Sequence, residues 1–277
     1  MSGFSIDWLD LREDADHRGR DSVLLEQAKG WVAAAPSSDK APVIVDLGAG
    51  TGSTLRAFSA AGMAPASLTW RLVDNDRELL DEARRRHGSI HQLETCPADL
   101  AQVAALPLTD TRLITASALF DLVSPDFIET LATALQTRCQ HTPVGVYAAL
   151  NYNGVTQWTP AHPLDDVVLD AFNRDQRRDK GFGPALGPDA ASCMEKAFSN
   201  AGFAVHSASS PWGLSSADRE LVSALIRGIA SAVAQAPRLD QASLDDWADY
   251  RLDNVSTGTC TVGHTDILAL PTLAWKR

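Results

Sequence analysis

The sequence predicts an α/β fold: a doubly wound, mostly parallel sheet of seven strands with helices on both faces. Short apolar runs alternate with helical segments of roughly 10–15 residues, a rhythm typical of right-handed βαβ units. The chain has 277 residues, 45% of them hydrophobic, which is enough for one full core. Since no linker-like stretch divides it, residues 1–277 are expected to form a single domain.

The seven predicted strands are short apolar runs bounded by turn residues. They cover residues 43–47, 68–73, 89–93, 113–116, 144–150, 203–207 and 266–270. Apolar residues at helical spacing predict helices around 55–58, 80–87, 128–135, 194–198, 221–233 and 244–247. Asp76 and Ser124 are the expected N-caps of two of these helices, and Pro125 suits the first turn of the second one.

Two segments depart from this rhythm. Residues 1–36 are expected to be a helical lead-in, in which 5–19 is polar and irregular and the helix follows from Asp21. Residues 151–187 are predicted to be a lid-like insertion after the fifth strand. A helix in that insertion could cover a pocket with Val168 and Phe172, and residues 180–184 would form its hinge or rim.

Composition excludes several classes of protein. The net charge of −11, from 24 basic and 35 acidic residues, opposes binding to nucleic acid, because that affinity comes largely from neutralising phosphates. The four cysteines are far apart without a Cys-x-x-Cys pair, which is typical of reduced thiols in the cytoplasm and not of a disulfide scaffold. The sequence has neither an apolar run long enough for a membrane helix nor a signal-peptide pattern at its start. We therefore expect a cytoplasmic protein with no nucleic-acid or membrane partner and no bound metal, and the oligomeric state stays open.

A glycine-rich turn follows the first predicted strand. Gly48, Gly50 and Gly52 let the backbone turn sharply and let a ligand approach it closely. A dinucleotide fingerprint would have its third glycine three residues after the second, where Ser53 stands. Asp46 would also repel a pyrophosphate, whereas a carboxylate there suits a cationic group such as an ammonium.

This stretch resembles motif I of class I S-adenosylmethionine (SAM)-dependent methyltransferases, which reads acid-x-Gly-x-Gly-x-Gly. Asp46, Gly48, Gly50 and Gly52 match it without a gap, and the resemblance extends in good order to about residue 151. It implies a Rossmann-like methyltransferase fold, SAM as cofactor and S-adenosylhomocysteine (SAH) as product.

The resemblance also implies which residues bind the cofactor. Asp74, at the tip of the second strand, would accept the ribose hydroxyls, as in other adenosine-binding folds. Asp99 would meet the adenine amino group, and Leu100 would pack on the ring. Ser117 ends the fourth strand, beside the methyl group. The expected cofactor-binding residues are Asp46, Gly48, Ala49, Gly50, Gly52, Asp74, Asn75, Asp99, Leu100 and Ser117.

The residues that act on the acceptor are harder to name, because methyl transfer mainly requires alignment and exclusion of water. A general base is needed only when the acceptor is protonated. The catalytic candidates are Asp121 and His162. The substrate-binding candidates are Asn151, Tyr152, Trp158 and Lys180. Arg12 and Arg18 are candidates for the methionine carboxylate.

A small-molecule acceptor is expected, because the Asp/Asn-Pro-Pro-aromatic tetrapeptide of base-flipping amino-methyltransferases does not follow the fourth strand. Two other functions fit the same sequence. One is an NAD-binding oxidoreductase, and the other is a methyltransferase-like protein that binds the cofactor without turnover.

Overall fold

The computed structural model describes residues 4–36, 41–65, 68–237 and 239–272. The parts of the predicted domain at 1–3, 37–40, 66–67, 238 and 273–277 lie outside the described residues. None of the helices in the described ranges has the length and apolar character that crossing a membrane requires.

Helices and strands alternate through most of the described chain. The helices are α1 (Ile6–Gly19), α2 (Ser22–Ala33), α3 (Ser53–Ala60), α4 (Arg77–His87), α5 (Pro125–Cys139), α6 (Asp165–Gln176), α7 (Ala190–Asn200), α8 (Arg219–Val233) and α9 (Gln241–Asp253). The strands are β1 (Val43–Leu47), β2 (Thr69–Asp74), β3 (Gln92–Pro97), β4 (Thr111–Ser117), β5 (Gly145–Thr159), β6 (Phe203–Ser209), β7 (Trp212–Leu214) and β8 (Thr259–Pro271).

The strands form one sheet in the order β3-β2-β1-β4-β5-β8-β6, with β7 paired to β8 off this path. Neighbours from β3 to β5 are parallel, and β8 runs antiparallel to β5, β6 and β7. This confirms the predicted doubly wound, mostly parallel sheet of seven strands, to which the three-residue β7 is an unpredicted addition. The strand order reverses beside β1, so a crevice opens between the carboxyl ends of β1 and β4, where open α/β sheets bind ligands.

Apolar side chains cover both faces of the sheet. Ile44 belongs to one buried cluster, together with Phe58 and Trp70. Val45 and Leu47 belong to the other cluster. Alternate residues of β1 thus point to opposite faces, which is why this strand reads as an uninterrupted apolar run.

The prediction of an irregular stretch at 5–19 is wrong, because these residues form α1. The Ser5 hydroxyl caps the helix by accepting the Trp8 backbone N–H at 3.1 Å. Two ion pairs then hold α1 on the rest of the fold: Glu13 with Arg56, and Asp10 with Arg86 at 2.6 Å. These polar contacts with distant residues attach the helix to the fold, a role that a regular apolar face usually has. The apolar pattern of this helix in the sequence is therefore weak.

Three predicted strands have other bounds than expected. β8, predicted over 266–270, begins at Thr259. β3 begins at Gln92, and not at residue 89, because the end of α4 continues into a turn in which the His91 N–H donates to the His87 carbonyl. β5 does not end at residue 150 but runs to Thr159, paired antiparallel with β8 as far as Thr259. The first nine residues of the predicted 151–187 insertion are therefore strand.

The rest of that insertion packs on the sheet. α6 buries Val168 and Ala171, and the Phe172 ring lies 5.9 Å from the Tyr152 ring in an edge-on contact. Residues 179–182, which follow the helix, line a large cavity. The predicted rim thus comes from this loop. A lid role for the segment stays a prediction.

Candidate functional site

A cavity of about 730 Å³ opens at the carboxyl ends of β1, β2 and β4. Its walls come from the glycine-rich turn, the start of α3, the ends of β2 and β4, one face of α1 and the loop after α6. The predicted site residues that line it are Gly48, Ala49, Gly50, Asp74, Asn75, Asp99, Leu100, Ser117 and Lys180. A cavity of this size at this edge of the sheet is suited to a cofactor or small ligand.

The glycine-rich turn has a backbone that other residues adopt at a cost. Gly48 and Gly50 have φ values of +62° and +51°, in the left-handed region. A Cβ on Gly50 would lie 3.0 Å from Leu9 Cδ1 of α1. The turn then enters α3, with Gly52 as its N-cap residue. The turn is therefore pressed against α1 and presents bare backbone to the cavity.

Asp74 ties the turn to the end of β2. Its Oδ2 accepts the Gly50 N–H at 2.9 Å and its Oδ1 accepts the Asp76 N–H at 3.0 Å. Burial raises the pKa of this carboxyl, while these N–H donors oppose the shift. A carboxylate oxygen has two lone pairs, so each oxygen can accept one further donor from the cavity. This arrangement suits a vicinal diol.

Asp46 is fully buried beside β4, where its Oδ1 accepts the Thr115 hydroxyl at 2.7 Å. Its Oδ2 has no hydrogen-bond partner among the described residues. Burial raises the pKa of Asp46 to about 7, against the opposing effects of the Thr115 hydroxyl and the Arg20 guanidinium. The carboxylate therefore has an open position for a donor, preferably a charged one.

Arg20 is a buried cation close enough to Asp46 to act on its pKa, and it is also surrounded by Tyr147, Asp266 and Asp16. Sequence reasoning missed it. It is buried, and its Nη2 donates to Ser117 Oγ at 3.0 Å. Its Nε and Nη1 find no acceptor in the part of the chain that the structure describes. Thr115 and Ser117 are two residues apart on β4 and so share a face of the strand. The Asp46 carboxylate and the Arg20 guanidinium thus lie on the same face of β4, near its end.

α1 contributes a polar pair to the cavity wall. Arg12 donates to both oxygens of Asp16, at 2.9 and 3.2 Å, and both residues line the cavity. Asp16 also accepts the Trp212 indole N–H at 3.0 Å, and the Arg12 guanidinium lies 5.3 Å from the centre of a Trp212 ring. The i, i+4 spacing of Arg12 and Asp16 was the signal in the sequence. The other N-terminal candidate, Arg18, pairs instead with Asp218 at 2.5 Å.

The far end of the cavity is formed by Asp99 and Leu100, after β3. Asp99 is exposed and its carboxylate already accepts the Ala101 N–H and the Gln102 side-chain amide, at 3.0 and 3.2 Å. Leu100 is buried and, with Leu79, gives this end an apolar wall. The two residues are placed as a planar ring with an amino group would require.

Asp121 lies in the loop after β4, between Leu119 and Leu122, which line the cavity. It is only 8% exposed, and its Oδ1 lacks a hydrogen-bond partner in the described ranges. Burial raises its pKa to about 6, and the nearby Arg12 charge opposes the shift. The Asp121 carbonyl accepts the Gly187 N–H at 2.8 Å, which holds the loop in place.

Tyr152 and His264 form a buried aromatic wall behind these groups. Their rings lie 6.3 Å apart, and the Tyr152 hydroxyl donates to Asn173 Oδ1 at 2.9 Å. Burial lowers the pKa of His264 to about 3 and raises that of Tyr152 to about 12, so both are neutral at physiological pH. The sequence did not predict His264 as a site residue, because nothing in its local sequence indicates that it packs beside Tyr152 of the neighbouring strand.

The predicted site residues that do not themselves line the cavity are Asp46, Gly52, Asp121, Asn151, Tyr152, Trp158 and His162. His162 sits at the start of α6, where its Nδ1 accepts the Leu164 N–H at 3.2 Å and its ring packs 4.9 Å from Tyr250. Trp158 packs edge-on against Trp247 of α9, at 6.1 Å. Asn151 donates to two backbone carbonyls across β5 and β8. The side chains of His162, Trp158 and Asn151 are thus used in packing or in backbone support, and a role for them toward the substrate stays a prediction.

Several solved structures resemble this chain in fold. The cyclopropane synthase MmaA2 from Mycobacterium tuberculosis matches with a TM-score of 0.49 and 11% identity, over 96% of this chain and 94% of that one. The mycolic acid cyclopropane synthase CmaA1, in complex with SAH and CTAB, matches with a TM-score of 0.48 and 12% identity, over 90% and 83%. Geranyl diphosphate methyltransferase, in complex with SAM, matches with a TM-score of 0.42 and 7% identity, over 90% and 85%.

No protein-family model matches the chain, and no curated protein matches it in sequence. At identities of 7–12% and TM-scores below 0.5, the matches say nothing of reaction or acceptor.

Proposed function

We propose that this protein is a SAM-dependent methyltransferase that transfers a methyl group to a small-molecule acceptor and releases SAH. The observation that carries the proposal is the pair of buried, opposite charges at the end of β4. Asp46 Oδ2 and the Nε and Nη1 of Arg20 have no hydrogen-bond partner among the described residues. Asp46 can therefore bind an ammonium, and Arg20 can bind a carboxylate. An amino-acid zwitterion has both groups. A diphosphate has no ammonium, and Asp46 would repel its negative charge.

The cofactor would lie across the crevice, from β4 to β3. Its amino-acid end would meet Asp46 and Arg20, its ribose hydroxyls Asp74, and its adenine Asp99 and Leu100. Gly48, Ala49, Gly50 and Gly52 would let it pass close to the backbone of the turn. Asn75 and Ser117 would complete the wall that it touches.

The charge of the cavity further supports SAM over NAD. Its charged lining residues within the described ranges are four aspartates and two cations. Arg12 is engaged by Asp16 and Lys180 by Asp175, the latter at 3.0 Å. A dinucleotide would place a diphosphate in a field of net negative charge, whereas SAM carries a positive sulfonium.

Catalysis would rest on alignment and on exclusion of water. When the cofactor is bound, it supplies an activated methyl group. The protein would hold the acceptor against Leu119, Leu122 and Phe182 and shield the reacting atoms beneath α1. Asp121 would accept a proton if the acceptor has one to lose. Of the predicted substrate residues, Lys180 would line the entrance and Tyr152 would form the wall behind Asp121.

The proposal is tested by calorimetry with SAH, 5′-methylthioadenosine and NADH. We expect micromolar binding of SAH, weaker binding of 5′-methylthioadenosine, which lacks the amino-acid end, and no binding of NADH. An Asp81→Asn variant, altered at an exposed aspartate of α4, is the control and should bind SAH as the wild type does. Tight binding of NADH with none of SAH would transfer the assignment to an oxidoreductase.

Turnover separates an enzyme from a protein that only binds the cofactor. Radiolabelled SAM incubated with a pool of small amines, phenols and carboxylic acids should yield a labelled product. SAH binding without transfer to any member of the pool would favour the non-catalytic alternative.

A further inference from the structure

We infer that the acceptor is an amine that enters as an ammonium and is received by Asp121. The inference rests on the proposed methyl transfer and adds the class of substrate to it. It depends on three features around the loop between β4 and α5: the burial of Asp121, the engagement of the nearby cations, and the apolar wall beside it.

Asp121 is a buried carboxylate without a full set of partners. It is nine-tenths buried, and Oδ1 meets no donor among the residues described. A buried carboxylate with no counter-charge is costly, and the cost falls when a cation binds beside it. The backbone of its loop is held by the Gly187 N–H and by the bond from the Leu186 N–H to the Val123 carbonyl, both 2.8 Å. The backbone that carries the Asp121 side chain is therefore held in place.

The cations that could neutralise Asp121 are already used. Arg12 is the one whose charge acts on it, and its guanidinium makes two bonds to Asp16. Lys180, at the entrance, is paired with Asp175. These pairs leave Asp121 as the surplus charge near the inner part of the cavity. Among the described residues, Arg12 and Lys180 are therefore not free to receive a carboxylate or phosphate acceptor beside Asp121.

The wall beside Asp121 suits the rest of such a ligand. Leu119, Leu122 and Phe182 line the cavity and form an apolar surface on which a hydrocarbon or aromatic body can pack. Tyr152 and His264, behind it, are neutral. The charge beside this wall with which an incoming acceptor can pair is therefore the negative charge of Asp121, whose Oδ1 has no hydrogen-bond partner among the described residues.

The reaction then balances as follows. Asp121 takes one proton from the ammonium, which leaves a neutral amine. The nitrogen lone pair forms a bond to the methyl carbon while the carbon–sulfur bond breaks, and that electron pair stays on sulfur in SAH. The product leaves as a methylated ammonium, and Asp121 passes its proton to solvent.

The test compares three probes of nearly equal shape and different charge. Binding of 2-phenylethylamine, 2-phenylethanol and phenylacetate is measured by calorimetry at pH 7.5 with SAH at saturation. We expect the amine to bind ~10-fold or more tightly than the other two, as one hydrogen bond to a charged group implies. Asp121→Asn should reduce the amine to the affinity of the alcohol and leave SAH binding intact, whereas Asp170→Asn, at an exposed position of α6, should change neither.

Each result has a distinct meaning. If SAH binds but the three probes bind alike or not at all, or the carboxylate binds best, the amine assignment is wrong and the proposed methyl transfer stands. If SAH itself does not bind, the proposed function fails first. If Asp121→Asn keeps the amine preference, the ammonium is received elsewhere. If Asp121→Asn misfolds and loses SAH binding, Asp121→Glu is tested in its place. This variant keeps the charge and must still bind the amine more tightly than the alcohol and the carboxylate.

Discussion

Gly50 and Asp74 are joined by a hydrogen bond of 2.9 Å, from the backbone nitrogen of the glycine to Oδ2 of the aspartate. The bond ties the turn after β1 to the tip of β2 across 24 residues of sequence. It positions the carboxylate beside the cavity and fixes the turn against the end of β2, so that the proposed ribose site and the turn are linked. Changes to either residue should therefore affect binding in related ways.

Replacing Asp74 by Asn should weaken both SAH and 5′-methylthioadenosine. The amide can still accept the Gly50 N–H through its oxygen, but it cannot accept two hydroxyls as the carboxylate does. Loss of a hydrogen bond to a charged group predicts a fall in affinity of ~10–100-fold. Calorimetry with both ligands measures it, with Asp81→Asn as control. Equal affinity for either ligand would show that Asp74 does not touch the ribose.

Replacing Arg20 by Met should weaken binding of the amino-acid half of the cofactor and leave binding of the adenosine half unchanged. The apolar side chain keeps much of the volume but leaves the buried Asp46 and Asp266 without a nearby cation, so the free energy of unfolding should fall by about 3–5 kcal/mol. SAH should bind ~10–100-fold more weakly, since its carboxylate loses a charged partner. Binding of 5′-methylthioadenosine should stay as in the wild type, which also shows that the variant is folded. A parallel loss of both ligands would argue against a carboxylate site at Arg20.

Replacing Asp46 by Asn should weaken SAH and stabilise the free protein at high pH. The folded-state pKa of Asp46 is about 7, against 3.8 for the ordinary group, so the folded state binds more protons between these values. The wild type therefore loses stability from this group as pH rises from 4 to 7, by at most about 4 kcal/mol. The variant lacks this loss.

Urea unfolding of both proteins at pH 4.5 and pH 8 measures the Asp46 effect. Asp74, Asp121 and Asp266 have pKa values raised in the same direction, so the wild type and the variant are compared at each pH. The free energy of unfolding of the variant, relative to that of the wild type, should be higher at pH 8 than at pH 4.5. A gap that stays constant would mean that Asp46 does not titrate in this range.

Replacing Gly50 by Ala should destabilise the protein and weaken SAH binding. Its φ of +51° costs an L-residue about 1–2 kcal/mol, and the new methyl group would press on Leu9 of α1. Gly228→Ala is the matched control, because Gly228 lies in the exposed middle of α8 with free space around its Cβ position. It should raise the free energy of unfolding by about 0.5–1 kcal/mol. Opposite signs for the two variants, read from urea unfolding, are the expected result.

Local patterns in the sequence predicted most of the fold because their causes are local. The Asp76 side chain accepts the Glu78 N–H at 2.9 Å and so caps α4 as expected. Ser124 likewise accepts the Phe127 N–H at 3.3 Å and caps α5. A cap depends on a residue and the next few along the chain, so one sequence is enough to find it.

Contacts between distant residues were out of reach of the same reasoning. α1 is held by Arg56 and Arg86, which are far along the chain, so its own residues showed only a weak pattern. His162 was an attractive base between two prolines, yet the fold turns it toward Tyr250. A side chain's chemistry can be read from its type, whereas its neighbours depend on how the elements pack.

The amino-acid sequence by itself determined the order of strands and helices, the glycine-rich turn and the carboxylates that follow β1 and β2, because short-range geometry and apolar periodicity dictate them. Only the tertiary structure decided that Arg20 meets Ser117, that α1 covers the turn, and that Asp121 is left buried beside Arg12. Burial and charge pairing arise when separate elements come together, and they have no counterpart in the sequence of any one element.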